Sequence, residues 1–145
     1  MTTSTLRLDI VSAETQIFSG EVAMLFVNGE EGELGIAPGH SQLLTTLRAG
    51  SVRVIFPNQQ EEIFYISGGM LEVQPYIVSV LADTAMRAAD IDEAAALAAK
   101  EQAEKALAGK VSAMDVAKAT AELSEITAQI RTVQRLKKQA RGERT

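Results

Sequence analysis

The chain has no cysteine and no tryptophan among its 145 residues, one histidine and three prolines. Without cysteine it can form neither a disulfide nor a thiol nucleophile, and it suits a reducing cytosol. A lone histidine leaves zinc without its usual ligand set. No run of about 18 apolar residues predicts a bilayer-spanning helix, so any membrane location is expected to come through a partner. The opening Met1-Thr2-Thr3-Ser4-Thr5 has no basic region and no apolar core, and no export or transit peptide is expected. Positive charge is also scarce. The 14 Lys+Arg face 19 Asp+Glu, giving net charge −5 and a pI of 4.9, which argues against a general nucleic-acid binder.

What is present divides into two halves. Every aromatic residue lies between Phe18 and Tyr76, every proline between Pro38 and Pro75, and eight of the ten glycines at or before Gly69. After Tyr76 the composition turns to Ala, Glu, Lys and Leu. Residues 1–87 hold four Lys/Arg against ten Asp/Glu, whereas residues 88–145 hold ten against nine. A boundary is predicted near Arg87 to Asp90, with units 1–87 and 88–145.

The first unit reads as strands. Leu6, Leu8 and Ile10 alternate with Arg7, Asp9 and Val11, while Val22 to Val27 is a continuous apolar run that predicts a strand covered on both sides. Leu43–Leu47, Ser51–Phe56, Ile63–Ile66, Met70–Val73 and Ile77–Leu81 follow, separated by Ala49-Gly50, Pro57-Asn58, Gly68-Gly69 and Gln74-Pro75-Tyr76. Short strands with such frequent turns predict a β-sandwich or flattened barrel.

The second unit reads as an antiparallel pair of helices, so the predicted class is α+β. Asp90 with Glu93 has the capping-box spacing, the first helix runs to about Leu107, and Gly109 suits a left-handed C-terminal position. Ser112 then caps a second helix, with Asp115 at its third position. Val116, Ala119, Leu123, Ile126, Ile130, Val133 and Leu136 recur at steps of three and four along it. The facing surfaces are assigned to Ala95, Ala98, Ala99, Ala103 and Ala106 on the first helix and Ala117, Ala121 and Ala128 on the second. Alanine contacts bury little area, so helicity rests on intrinsic propensity and the hairpin's position is held lightly.

The stretch from Glu30 to Leu44 is an acidic turn, a short apolar strand, a Pro-Gly turn and a second apolar strand. Gly32, Gly35 and Gly39 permit positive φ there and Pro38 pre-sets a turn. It is either a sheet connection with a hydrated tip or a rigid recognition edge. No phosphate-binding loop of the G-x-x-x-x-G-K-[ST] type is present. Ser41 beside His40 lacks both the nucleophile elbow and a second histidine, and Ser67 before Gly68-Gly69 reads as a turn residue. Nothing near Glu30, Glu31 and Glu33 would desolvate them enough to separate their acidities. The chain is therefore read as non-catalytic, with no cofactor and no metal. From Thr127 onward Arg131, Arg135, Lys137, Lys138, Arg141 and Arg144 face Glu143 alone. A helix dipole accounts for two or three of these cations; the remainder predict docking to an acidic protein surface.

Five blocks occur in a telling order: Leu8-Asp9-Ile10-Val11-Ser12-Ala13-Glu14, Phe18-Ser19-Gly20, the Glu30–Leu44 stretch, Ser67-Gly68-Gly69-Met70-Leu71-Glu72-Val73, and Val80-Leu81-Ala82-Asp83-Thr84-Ala85. Together they resemble the epsilon subunit of bacterial F-type ATP synthases over about the first 85 residues, with the remainder similar in pattern. The resemblance implies an N-terminal β-sandwich of about ten strands and a C-terminal antiparallel two-helix hairpin. It implies a central-stalk subunit joining the gamma subunit to the c-ring, peripheral on the cytoplasmic face of the bacterial inner membrane. By matching positions, Glu33 would meet the c-ring and His40 would lie in the gamma/ring contact region. The hairpin would inhibit ATP hydrolysis when extended, its Arg131, Arg135, Lys137 and Lys138 meeting the catalytic alpha and beta subunits. Some such proteins bind ATP through an Ile/Leu-Asp-x-x-Arg-Ala motif and an arginine of the second helix. Here Ile91, Asp92 and Arg131 match, but Ala95 stands where the motif arginine belongs, so weak or absent ATP binding is expected.

Two other classes fit parts of the sequence. A free-standing β-sandwich binding module with a helical oligomerisation hairpin is one, but a carbohydrate site would call for aromatic platforms, and the chain has no Trp and two Tyr. An RNA-binding tail is the other, but no aromatic residue follows Tyr76 to stack on bases.

Overall fold

The computed structural model describes residues 4–109, 113–140 and 142. Ser112, Arg141, Glu143 and Arg144 lie outside the described residues, as does the side chain of Asp115. The described chain forms β1 (Leu6–Ser12), β2 (Gln16–Val22), β3 (Met24–Gly29), β4 (Gly32–Ile36), β5 (Leu43–Leu47), β6 (Gly50–Ile55), β7 (Glu61–Ile66), β8 (Gly69–Val73), β9 (Ile77–Ala82) and β10 (Ala85–Arg87). A 3₁₀ turn (Ala88–Asp90), α1 (Glu93–Ala108) and α2 (Ala113–Ala140) follow.

The strands run β10-β7-β6-β3-β5-β8-β9-β1-β2, with β4 on the other side of β3. All pairings are antiparallel except β1 with β9. β3 meets β5 through the single pair Gly29 and Leu47. About that narrow joint the ladder folds into two layers, β10-β7-β6-β3-β4 and β5-β8-β9-β1-β2. Alternate residues point inward, as the pleat requires. Leu6, Leu8 and Ile10 meet Val78 and Val80 from one layer, and Leu25, Val27, Val52, Val54, Phe64 and Ile66 from the other. The α+β architecture of a ten-stranded sandwich followed by two helices is thus present.

Details of the sequence reading change. The apolar run from Val22 to Val27 is not one strand. It breaks at Ala23, whose N–H donates to the Ile55 carbonyl at 2.8 Å, and β3 beyond it alternates between buried and half-buried positions. The strand covered on both faces is β7, where Ile63, Phe64, Tyr65 and Ile66 are all buried. Phe64 and Ile66 belong to the sandwich core; Ile63 and Tyr65 face the opposite way, beneath α2. Gly35 does not take positive φ, unlike Gly32 and Gly39. It lies in β4, and the missing Cβ leaves room for Met24 and Phe26.

The helix boundaries also differ. Asp92, not Asp90, caps α1: its carboxylate accepts from the Ala95 N–H at 3.1 Å, while Asp90 closes the 3₁₀ turn. Asp92 stands three residues before the third orphan N–H of the helix, which is where a capping carboxylate reaches. Gly109 ends the helix in right-handed geometry, with φ −94°. The inward line of α1 is Ala96, Ala99, Lys100, Ala103 and Leu107; of the alanines expected there Ala99 and Ala103 hold, as does Ala128 on α2, while Ala95, Ala98 and Ala106 of α1 and Ala117 and Ala121 of α2 are exposed. The longer stripe on α2 holds from Ala119 to Leu136, with Val116 exposed.

Candidate functional site

The surface that distinguishes this chain is where α2 (28 residues, about 42 Å at 1.5 Å per residue) crosses the outside of the sandwich. Its alternating strands present Ser51 and Arg53 from β6, and Glu61, Ile63 and Tyr65 from β7. Thr132 of α2 is buried on the face that carries Arg135 and Gln139, while Ile130 and Val133 are buried on the face that carries Lys137. The Thr132 hydroxyl donates to the Ala128 carbonyl at 2.7 Å, so it is satisfied within its own helix. Tyr65 is fully buried, and its hydroxyl makes no well-formed hydrogen bond, the Gln129 side chain lying beside it in poor geometry. Burial pushes the Tyr65 phenol up to about 12, polar contact with Gln129 offsetting this in part and the Glu125 charge adding to it.

The rim of the contact is polar. Arg135 Nη1 donates to Ser51 Oγ at 3.0 Å, and Gln139 Nε2 donates to Glu61 Oε2 at 3.0 Å. Glu61 also lies 3.7 Å from Arg53, whose guanidinium sits 4.4 Å above the Phe26 ring. Lys137 Nζ reaches Glu93 of α1 at 2.5 Å. At the root of the arm, Arg87 pairs with Glu62 and donates to the Ile17 carbonyl at 3.3 Å.

Among the described residues the side-chain hydrogen bonds from α2 to the sandwich lie near its C-terminal end. Between Thr120 and Arg135 a groove of about 840 Å³ runs between α2 and the sandwich. Thr120, Ser124, Thr127 and Arg131 line one wall, and the β3–β4 hairpin with Arg48 and Ser51 lines the other. Among the four cations assigned to head contact, Arg131 lies on this groove, Arg135 on both this and a second hollow, and Lys138 on the second hollow with Arg53, Glu61 and Gln139. Lys137 is turned to α1.

The remaining predicted residues are not assembled into one site. Glu33 is exposed on β4 opposite Asn28 and borders the groove. His40 is half-buried beyond the other end of β4, its Nδ1 2.7 Å from the Ser41 carbonyl, beside the turn where Gly39 N–H donates to Pro75 O at 2.6 Å. Of the ATP-motif remnant, Asp92 is occupied in capping α1 and Ala95 is exposed. Ile91 and Asp92 do not line the groove that Arg131 enters. Among the described residues no group of three or more His, Cys, Asp and Glu could hold a metal ion.

One surface escaped the sequence reading. The outer face of β5-β8-β9 and the adjoining turn expose Leu44, Met70, Tyr76, Ile77 and Leu81, with Leu44 at 68% and Tyr76 at 62%. The signal was in β9: Ile77, Val78, Val80 and Leu81 are apolar on both faces of the pleat, although only Val78 and Val80 enter the core. Contiguous exposed apolar surface of this kind marks an interaction face.

Residues 5–88 match the family model of the ATP synthase delta/epsilon chain beta-sandwich domain, and residues 89–134 match that of its long alpha-helix domain. The chain is 58% identical to the ATP synthase epsilon chain of Nitrosococcus oceani over 134 residues, covering 92% of this chain and 96% of that one. In fold it is similar to a chain of the Euglena gracilis mitochondrial ATP synthase OSCP/F1/c-ring assembly, with TM-score 0.78, 21% identity and coverage of 86% and 78%. It is similar also to a chain of the Tetrahymena thermophila mitochondrial ATP synthase central stalk and c-ring, with TM-score 0.62, 14% identity and coverage of 92% and 99%. Among the described residues no helix is long and apolar enough to cross a membrane. A two-layer sandwich carrying a seated helical hairpin, matched by both family models in the order of the chain, makes this protein a member of the ATP synthase delta/epsilon chain family and a homologue of its epsilon chains.

Proposed function

We propose that this chain is a non-catalytic subunit of the central stalk of an F-type ATP synthase and its intrinsic inhibitor of ATP hydrolysis. The sandwich, residues 1–87, docks to the gamma subunit and the c-ring. The hairpin, residues 88–145, regulates. The solved assemblies that contain similar folds, an F1/c-ring complex and a central stalk with c-ring, support that placement. The complex, not the chain, provides attachment to the cytoplasmic face of the bacterial inner membrane. The exposed apolar face of β5-β8-β9 supplies surface for gamma, and the acidic β3–β4 hairpin with Glu33 supplies the polar contact with the ring. His40 lies between those two regions.

The observation that carries the inhibitory part is the partial seating of α2. Among the described residues its side-chain hydrogen bonds to the sandwich come from Arg135 and Gln139, near its C-terminal end, and a groove runs between α2 and the sandwich from Thr120 to Arg135. The hairpin therefore has a folded arrangement that is held locally and an alternative that leaves the sandwich core intact. Released, α2 presents Arg131, Arg135, Lys137 and Lys138 to acidic surfaces of the alpha and beta subunits. Partners shift such an equilibrium by binding one arrangement better than the other. Truncation after Arg87 tests this: the synthase assembles as before and its membranes hydrolyse ATP faster. Unchanged hydrolysis would remove the inhibitory role.

A further inference from the structure

Two of the cations assigned to the catalytic head are already engaged when the hairpin is folded. Arg135 donates to Ser51 on β6, and Lys137 pairs with Glu93 on α1. One turn beyond Arg135, Gln139 donates to Glu61 on β7. Glu61 is itself held within 3.7 Å of Arg53, which is fixed by stacking on Phe26. The acceptor is thus positioned by the sandwich and does not swing out with the helix. Beneath these polar contacts lie Ile63 and Tyr65 of β7 and Thr132 of α2, all buried.

We propose that Ser51 and Glu61 of the sandwich and Glu93 of α1 form a clasp that holds the basic end of α2 in the folded arrangement, and that α2 parts from both on extension, so that the two arrangements compete for Arg135 and Lys137. This rests on the inhibitory reading above and assigns its regulation to acceptors outside the hairpin's basic end. The clasp makes a prediction about sign that a general loosening of the arm does not. Removing a cation weakens both arrangements, and for Arg135 the extended one more, because its folded partner is the neutral Ser51 hydroxyl whereas an acidic head surface would pair its charge. Removing an acceptor weakens only the folded one. Substitutions at Ser51, Glu61 and Glu93 therefore strengthen inhibition, whereas substitutions at Arg135 and Lys137 relieve it. Glu21 on β2 provides an internal control: it accepts a side-chain hydrogen bond from Thr5, away from α2, so Glu21→Ala leaves the clasp untouched.

The test compares S51A/E61A/E93Q, R135A/K137A and E21A by two measurements. In the isolated full chain, amide exchange over residues 128–139 reports the seating of α2 without reference to inhibition. Losing hydrogen bonds of this kind is expected to speed that exchange about three- to tenfold, with the sandwich strands unchanged and E21A at the parental rate over 128–139. In the assembled synthase, S51A/E61A/E93Q should lower ATP hydrolysis and R135A/K137A should raise it. Unchanged exchange over 128–139 in S51A/E61A/E93Q would overturn the clasp, whatever hydrolysis does. Faster exchange combined with hydrolysis that ignores all three variants would leave the clasp standing and overturn the inhibitory reading. Faster exchange combined with increased hydrolysis in S51A/E61A/E93Q would overturn the competition.

Discussion

Tyr65 is the residue on which the seating of the arm turns. Its ring is fully buried between β7 and α2, yet its hydroxyl makes no well-formed hydrogen bond, so its contribution is apolar contact. Tyr65→Phe should leave stability unchanged or raise it by about 1 kcal/mol, because a desolvated and unmatched polar group is removed. Tyr65→Ala should cost about 3–5 kcal/mol by transfer and cavity terms together; chemical denaturation checks both. The phenol pushed up to about 12 links this contact to pH. The folded state favours the protonated form, so the contribution of Tyr65 is whole below pH 10 and is lost as pH rises through about 12. Stability measured from pH 9 to 12 should fall in the parent, and Y65F should be spared that part of the fall. A second residue, Gly69, tests the sandwich alone. At φ +150° a Cβ would collide with the Leu81 carbonyl. Gly69→Ala should therefore destabilise the sandwich by at least about 2 kcal/mol.

At the scale of elements, α1 and α2 draw stability from different sources. α1 meets α2 mainly through alanines and is begun by the Asp92 cap. Asp92→Ala should lower its stability by about 1 kcal/mol, seen as faster exchange at the first turn of α1 with β1–β10 unaffected. α2 buries Ile130 and Val133 on the face that carries Lys137, turned to α1. Ile130→Ala should loosen the hairpin at a cost of about 2–4 kcal/mol, again with the sandwich intact.

Much of this was legible in the letters. Leu6, Leu8 and Ile10 alternate because one face of β1 is core, and the step-of-three-and-four stripe from Ala119 to Leu136 placed α2. Where the sequence misled, tertiary context decided. Val22 to Val27 is as apolar as a doubly covered strand, but the chain bends at Ala23 and the cover lies over β7. On α1, alanine occurs on every side, so composition could not say which alanines face inward. The basic cluster was visible, but its partners were not. Ser51 and Glu61 lie 84 and 78 residues away from Arg135 and Gln139, a separation that no local pattern encodes.

At the scale of the whole molecule, charge and topology fit one division of labour. The acidic sandwich is closed by long-range pairing, while the more basic hairpin returns to it only near the chain's end. Replacing Arg131, Arg135, Lys137 and Lys138 together by Ala should raise hydrolysis by the assembled enzyme, and added salt should mimic the change in the parent through screening. The most direct measurement is ATP hydrolysis by the complete synthase with α2 tethered to its seat, through cysteines at positions 51 and 132 joined by a short reducible linker. Tethered enzyme should hydrolyse ATP as fast as enzyme truncated after Arg87, and reduction should restore inhibition. Tethered enzyme that stays fully inhibited would contradict the account, because the brake would then act without the arm ever leaving the sandwich.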